Sequence, residues 1–155
     1  DIKSVLKECR RVSKIGAQLV FTYNTDKTMR EFYSEFENLL RDKKMTSQIV
    51  LMKEHLYKKR RPVEEFVRLL NQNGYVLNEV SHDEFAYRFT DGTAMFNHFL
   101  IKLAFIDSWK ELVPEEKQQD FFAELLDRLN QLSERIGYLN LSVPFAIIDC
   151  EKVRE

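Results

Sequence analysis

Glycine is scarce: the 155 residues hold four, at positions 16, 74, 92 and 137, and no two of them form a Gly-x-Gly pair. These residues therefore encode no glycine-rich turn of the kind that approaches a bound phosphate or cofactor. Cysteine is sparse as well. Cys9 and Cys150 stand far apart, with no cysteine or histidine near either at metal-ligand spacing, so neither a metal site nor a disulfide framework is expected. Reduced thiols fit a cytoplasmic protein. No apolar run approaches the roughly 20 residues of a membrane helix, and no basic stretch leads into an apolar one as in a signal peptide. Neither sign of charge dominates: 24 basic against 25 acidic residues leave −1, so no net field recruits nucleic acid or an anionic membrane. Repeats, low-complexity tracts and Pro/Gly/Ser linkers are also missing, which reads as one domain over 1–155. The chain begins at Asp1, not methionine, and directly in a helical pattern; a further segment upstream is expected.

Hydrophobic and aromatic side chains are plentiful, at 44% and 12% of the chain, enough for a real core, and their spacing organises the rest. Val5, Leu6, Cys9 and Val12 predict a helix that stops before Gly16. The apolar run Leu19 to Tyr23 predicts a strand buried on both faces, and helix followed by buried strand predicts a parallel sheet. Thr28 and Glu31 have capping-box spacing ahead of Phe32, Tyr33, Phe36, Leu39 and Leu40. The stretch 41–60 is charged and weakly periodic and reads as a mobile connection, although Ile49, Met52 and Leu56 share a possible helical face. Pro62 opens a helix with Val63, Phe66, Val67 and Leu70 inward, stopped by Asn73-Gly74. Tyr75 to Val80 predicts a strand that continues through a bulge or turn at Asp83-Glu84 into Phe85, Tyr87 and Phe89. A helix over Thr93 to Phe105 should break near Asp107-Ser108. A strongly amphipathic helix from Pro114 to Ile136 turns Phe122, Leu125, Leu126, Leu129 and Leu132 inward and ends at Gly137. A last strand covers Leu139 to Cys150, with Pro144 marking an irregularity or a position that needs no ladder donor.

Several of these segments carry a resemblance. Arg11-Val12-Ser13-Lys14-Ile15-Gly16-Ala17-Gln18-Leu19-Val20-Phe21 resembles the helix and fifth strand of class I S-adenosylmethionine-dependent methyltransferases; Ser13, Ile15 and Ala17 depart from the pattern. Asn73-Gly74-Tyr75-Val76-Leu77-Asn78-Glu79-Val80 resembles that family's entry into its sixth strand. Leu141 to Lys152 resembles its seventh, antiparallel strand, and Phe89 to Ala94 with Asn97 to Lys102 resembles an insertion found in some members. The resemblance implies an α/β fold: the C-terminal portion of a Rossmann-like methyltransferase sheet, with a final antiparallel strand and helical insertions at about 25–61 and 90–137. It also implies that the cofactor motifs lie elsewhere. The glycine-rich turn and the acidic residue that the family uses for S-adenosylmethionine do not occur here, so the cofactor belongs to the full-length enzyme, in an upstream or separate cofactor-binding half, and is not expected to bind this chain tightly.

Ligands of an open α/β sheet gather at the carboxyl ends of its strands. Tyr23 and Asn24 end the first predicted strand, and both insertions would leave the same edge as a roof over a small-molecule substrate. Tyr57, Arg88, Asn97, His98 and Trp109 in those insertions join Tyr23 and Asn24 as candidate substrate-binding residues; no catalytic residue is singled out. Each has a structural alternative: His98 satisfied by a helix neighbour, Asn97 bonded to the Asp91-Gly92 turn, Trp109 in the core. Lys58-Lys59-Arg60-Arg61 is the one dense basic run, able to hold a carboxylate or phosphate but more commonly a solvated connector. A competing reading is a non-catalytic interaction module that binds a partner through the apolar residues of Phe121 to Ile136. A nucleic-acid binder built on 58–61 lacks both net charge and interleaved aromatics. An unpaired edge at the first strand would favour self-association as a homo-oligomer.

Overall fold

The computed structural model describes residues 2–154. In chain order the elements are α1 (Ile2–Val12), β1 (Gln18–Asn24), α2 (Arg30–Asp42), α3 (Thr46–Lys59), α4 (Val63–Gln72), β2 (Tyr75–Phe89), α5 (Gly92–Asn97), α6 (Phe99–Ala104), α7 (Ile106–Lys110), α8 (Glu115–Ile136) and β3 (Leu139–Lys152). The fold is mixed α/β with a three-stranded sheet in the order β1-β3-β2. The chain divides into two compact units. The first comprises, of the described residues, 2–28, Tyr57–Phe85 and 143–154, the second Met29–Leu56 and Ala86–Ser142.

In the first unit β3 is the central strand. It pairs antiparallel with β1, in a register running from Gln18 opposite Glu151 to Asn24 opposite Phe145. On its other side the Val153 N–H donates to the Gly74 carbonyl at 2.9 Å, Asn78 Nδ2 donates to Asp149 Oδ1 at 3.0 Å, and the Phe85 and Phe145 rings lie 6.0 Å apart. Numbers rise on β2 as they fall on β3, so this pairing is antiparallel too, and β1 and β2 point the same way. The expectation of a buried strand in a parallel ladder is therefore corrected: β1 alternates between half-buried and exposed residues and hydrogen-bonds to an antiparallel neighbour. Leu19, Phe21 and Tyr23 turn to the face shared with Ala146, Ile148 and Cys150 and pack with Leu6, Phe66 and Leu70. Val20, half exposed at 50%, sits on the opposite face, where a β-branched residue in an apolar run hid the alternation.

That opposite face is polar where it is closed at all: Gln18 Nε2 donates to Asp149 Oδ2 at 2.7 Å, and Asn78 reaches the other oxygen of the same carboxylate. At the end of β3 the Lys152 ammonium donates to the carbonyls of Arg10 and Ser13, each at 2.7 Å, satisfying carbonyls that the end of α1 leaves without helical partners. Of the apolar face expected for α1 only Leu6 is buried, while Val5 and Val12 stay exposed. Pro144 falls within the central strand, where its missing N–H removes one donor; its carbonyl accepts the Thr25 N–H at 2.9 Å. β2 runs unbroken through Asp83-Glu84, so the expected bulge or turn there is not a strand boundary.

The second unit is built on aromatic packing. Trp109 stacks on Phe32 with centroids 3.9 Å apart, and its indole N–H donates to Tyr33 Oη at 3.0 Å. Phe36 packs against Phe121 at 4.9 Å. The expected capping box does not form. Met29, at φ 58°, occupies the position before α2 without a side-chain cap, and the Glu31 carboxylate instead accepts from the N–H of Ser142 at 2.9 Å and from its hydroxyl. Of the stretch 41–60, expected to be a mobile connection, Thr46–Lys59 form α3. Met52 is buried and Ile49 and Leu56 pack beside it, but exposed Val50 and Leu51 blur the stripe. Between 92 and 110 the chain makes three short helices, breaking at His98 and Phe105 and not at Asp107. Asp91 caps the first by accepting the Ala94 N–H at 2.7 Å, and His98 Nδ1 caps the second by accepting from Leu100 at 3.3 Å. α8 runs as expected from Pro114 to Gly137, the latter at φ 90°. Its buried stripe is Phe121, Leu125, Leu129 and Ser133, so the face offered to a partner in the interaction-module reading is committed to the core. Among the described residues no helix is long and apolar enough to cross a membrane, and no cluster of metal-ligating side chains occurs.

Two outcomes follow from this packing. A Cβ added at Gly92 would lie 2.8 Å from Leu129 Cβ and 3.0 Å from Asn130 Oδ1, so Gly92→Ala should lower stability by about 1–3 kcal/mol, read as an earlier urea midpoint; an unchanged midpoint would show that α5 and α8 are not this close. Burial raises the Cys150 thiol to about 11, so it stays protonated in the fold. A thiol reagent at mildly alkaline pH should label half-buried Cys9 and spare Cys150 until the protein unfolds. The sign of the linkage is that stability is full below the ordinary thiol range and falls as pH climbs towards about 11.

Candidate functional site

The carboxyl end of β1 opens onto a cleft of about 450 Å³ in the first unit. Its wall is made by Tyr23 and Phe66, by the start of α1, by one side of α4 and by the basic run that spans the end of α3 and the turn after it. Pro62, at φ −52° ahead of α4, ends one helix and starts the next, and this corner brings Lys58 to Arg61 against α4 residues Glu65, Arg68 and Leu69.

Tyr23 is central. Its ring stacks on Phe66 at 5.0 Å and 21°, and Phe21 braces Phe66 edge-on at 5.1 Å from behind, so two stacked rings give the cleft a rigid aromatic floor. Burial raises the Tyr23 phenol above its ordinary value, while the Arg61 peptide N–H and the charges of Arg61 and Arg60 pull against that shift. Tyr57 does not line the cleft but bonds a residue that does. Its hydroxyl donates to the Glu65 carboxylate, 2.9 Å from either oxygen, and this bond raises its pKa. The Arg61 guanidinium lies 6.0 Å from the Tyr57 ring centroid.

The electrostatics are one-sided. Lys3, Lys58, Lys59, Arg61 and Arg68 line the cleft against one carboxylate, Glu65, in a chain whose total charge is −1. Beside it, sharing Tyr23 and Lys59, a second hollow is lined by Thr22, Asn24 and Arg60. Arg60 is 9% exposed, and its Nη1 is buried without a hydrogen-bond partner among the described residues. Charged side chains are rarely buried this deeply unless paired.

Of the seven residues expected to bind substrate, Tyr23 and Asn24 line these two hollows, and Tyr57 lies outside both, bonded to the cleft residue Glu65. The other four belong to the second unit, and each has its own partner there. The Arg88 guanidinium lies 5.0 Å from the Tyr138 ring centroid. Asn97 donates to the Thr93 carbonyl at 3.1 Å and accepts from Lys102 Nζ at 3.0 Å, and not from the Asp91-Gly92 turn. His98 caps α6 and meets Phe89 edge-on at 5.4 Å. Trp109 is fully buried, as its structural alternative describes. Glu65, Arg68 and Phe66 were not singled out as site residues. The available signal was the Arg61-Pro62 corner, which folds the basic run back against the next helix.

Gly16, Gly74 and Gly137 take positive φ in turns, and Gly92 accommodates Leu129 and Asn130 of α8. A comparison of structures matches a protein of Bacillus halodurans C-125 that carries a provisional methyltransferase name, at 16% identity and a TM-score of 0.45, covering 98% of this chain and 63% of that one. The chain thus spans less than two thirds of that protein, and the likeness is too distant to carry function across. No family profile and no curated protein matches the chain.

An unmatched buried charge should cost stability. Arg60→Met keeps the aliphatic stem and removes the charge, so its urea midpoint should be equal to or higher than that of the parent, by up to about 1–4 kcal/mol. A fall of several kcal/mol would instead mean that Arg60 has a partner on which the fold relies.

Proposed function

We propose that this chain is the C-terminal, substrate-side part of a class I S-adenosylmethionine-dependent methyltransferase that acts on a small molecule in the cytoplasm. The observation that carries the proposal is the sheet: a last strand running antiparallel between two strands that point the same way, at the positions where the sequence resembles the end of that family's sheet. Arg11 to Phe21 cover the end of α1 and β1, Asn73 to Val80 the end of α4 and the start of β2, and Leu141 to Lys152 fall in β3.

Two features support a missing half. β1 is an edge strand among the described residues, and its exposed face, with Val20 and Thr22, continues the open face of the sheet. Doubly wound α/β sheets are covered on both faces, and free apolar edges pair. A cofactor-binding half, upstream or in a separate chain, would continue the sheet at β1 and bring S-adenosylmethionine to the carboxyl ends of the strands. The cofactor would supply the methyl group. The part played by these residues is to hold the acceptor: Tyr23 and Phe66 as a rigid floor, Asn24 as a polar contact at the rim, with alignment and exclusion of water as the contributions to rate. No general base is assigned.

Calorimetry tests this division of labour. The chain alone should show no micromolar binding of S-adenosylmethionine, and joined to a segment bearing a strand and a Gly-x-Gly turn it should bind the cofactor and transfer methyl groups. Micromolar binding by the chain alone would overturn it. A free edge at β1 also favours a homo-oligomer of the isolated chain, so sedimentation at rising concentration should show association; a monomer throughout would count against an available edge.

A further inference from the structure

Charge in this molecule is unevenly spent. Over the whole chain acids and bases cancel, yet five cationic side chains face one carboxylate in the cleft beside β1. Two of them, Lys58 and Arg68, carry no ion pair or hydrogen bond among the described residues. Next to them the buried Arg60 has an unpartnered Nη1. Like charges crowded at one site repel, and desolvating a guanidinium without an anion is unfavourable. An anion seated there would relieve both the crowding and the unpartnered guanidinium nitrogen.

We propose that the cleft bounded by Lys58, Lys59, Arg61 and Arg68, together with the adjoining Arg60, binds a phosphate-bearing small molecule. The proposal rests on the reading of this cleft as the substrate side of a methyltransferase, in which case the methyl acceptor carries the phosphate. A single carboxylate would not satisfy Lys58, Arg68 and the Arg60 Nη1 together, whereas a phosphate ester brings nearly two negative charges and three acceptor oxygens. Lysines serve as point charges for phosphate, and the guanidinium groups supply paired N–H donors. The volume, about 450 Å³, is that of a small-molecule site. The Tyr23–Phe66 stack would floor the uncharged remainder of the ligand.

Titration of inorganic pyrophosphate into the protein, followed by calorimetry, should give saturable binding that weakens as salt rises. Lys58→Gln and Arg68→Gln alter exposed side chains and should each lower the affinity by about tenfold. Arg60→Met should weaken binding while leaving the fold at least as stable. Lys110→Gln with Lys117→Gln, which removes two charges where each test variant removes one, lies in the second unit and should leave the affinity within about twofold. No saturable pyrophosphate binding, or equal losses in the control pair, would overturn the proposal. So would binding confined to an oligonucleotide or to vesicles of acidic phospholipid, because the ligand would then be a polyanion or a membrane. These readouts involve no cofactor and no methyl transfer: loss of the anion site leaves the methyltransferase reading to its own calorimetric test, and failure of that test leaves the anion site standing.

Discussion

The antiparallel pairing of β3 with β1 is the constraint on which the rest of the first unit depends. Because β3 runs against both neighbours, β1 and β2 point the same way without touching. The helices that precede them, α1 and α4, can then pack on one face over Ala146, Ile148 and Cys150. The same strand anchors what lies at its end: Lys152 uses its ammonium on the carbonyls at the end of α1, and its own carbonyl accepts the N–H of Gly16, 2.8 Å away, in the turn into β1. With α1 and β1 fixed back to back, Tyr23 arrives beside Phe66 at the cleft.

A ring stack and a Pro62 corner make the frame of the cleft rigid, whereas its charge is a liability that the frame tolerates. Most exposed ion pairs elsewhere follow the ordinary pattern. Arg128 shares Asp42 and Glu124, for instance, and Lys43 adds a contact to Glu124, which such pairs repay only modestly. Lys58, at the Pro62 corner, and Arg68, on the helix that follows it, have no such carboxylate partners among the described residues. A sequence under pressure for stability alone would place a methionine or leucine at position 60.

Much of the architecture was legible in the residues. Strong periodicity located α2, α4 and α8, the glycines at 74 and 137 marked real stops, and the last strand was found almost to its ends. Legibility failed where tertiary contacts outweighed local pattern. Val20 sits in an apolar run but faces outward, because what decides burial in a strand is which face the helices cover. α3 was obscured because Val50 and Leu51 are exposed beside the buried Met52. Glu31 has the spacing of a capping residue, yet Ser142, distant in sequence, offers its carboxylate two donors. The site was half legible. Tyr23 and Asn24 followed from strand direction, but Glu65 and Arg68 lie on a helix whose charged face looks like any solvated surface. Only the fold back at Pro62 turns that face into a wall.

Native-state hydrogen exchange would test the central pairing directly. If β3 is flanked on both sides, the amides from Phe145 to Cys150 should be among the slowest in the first unit, while β1, paired on one side, should show slow and fast amides in alternation. Fast exchange along β3, or uniform protection along β1 in the isolated monomeric chain, would contradict the sheet order from which the site and its function are argued.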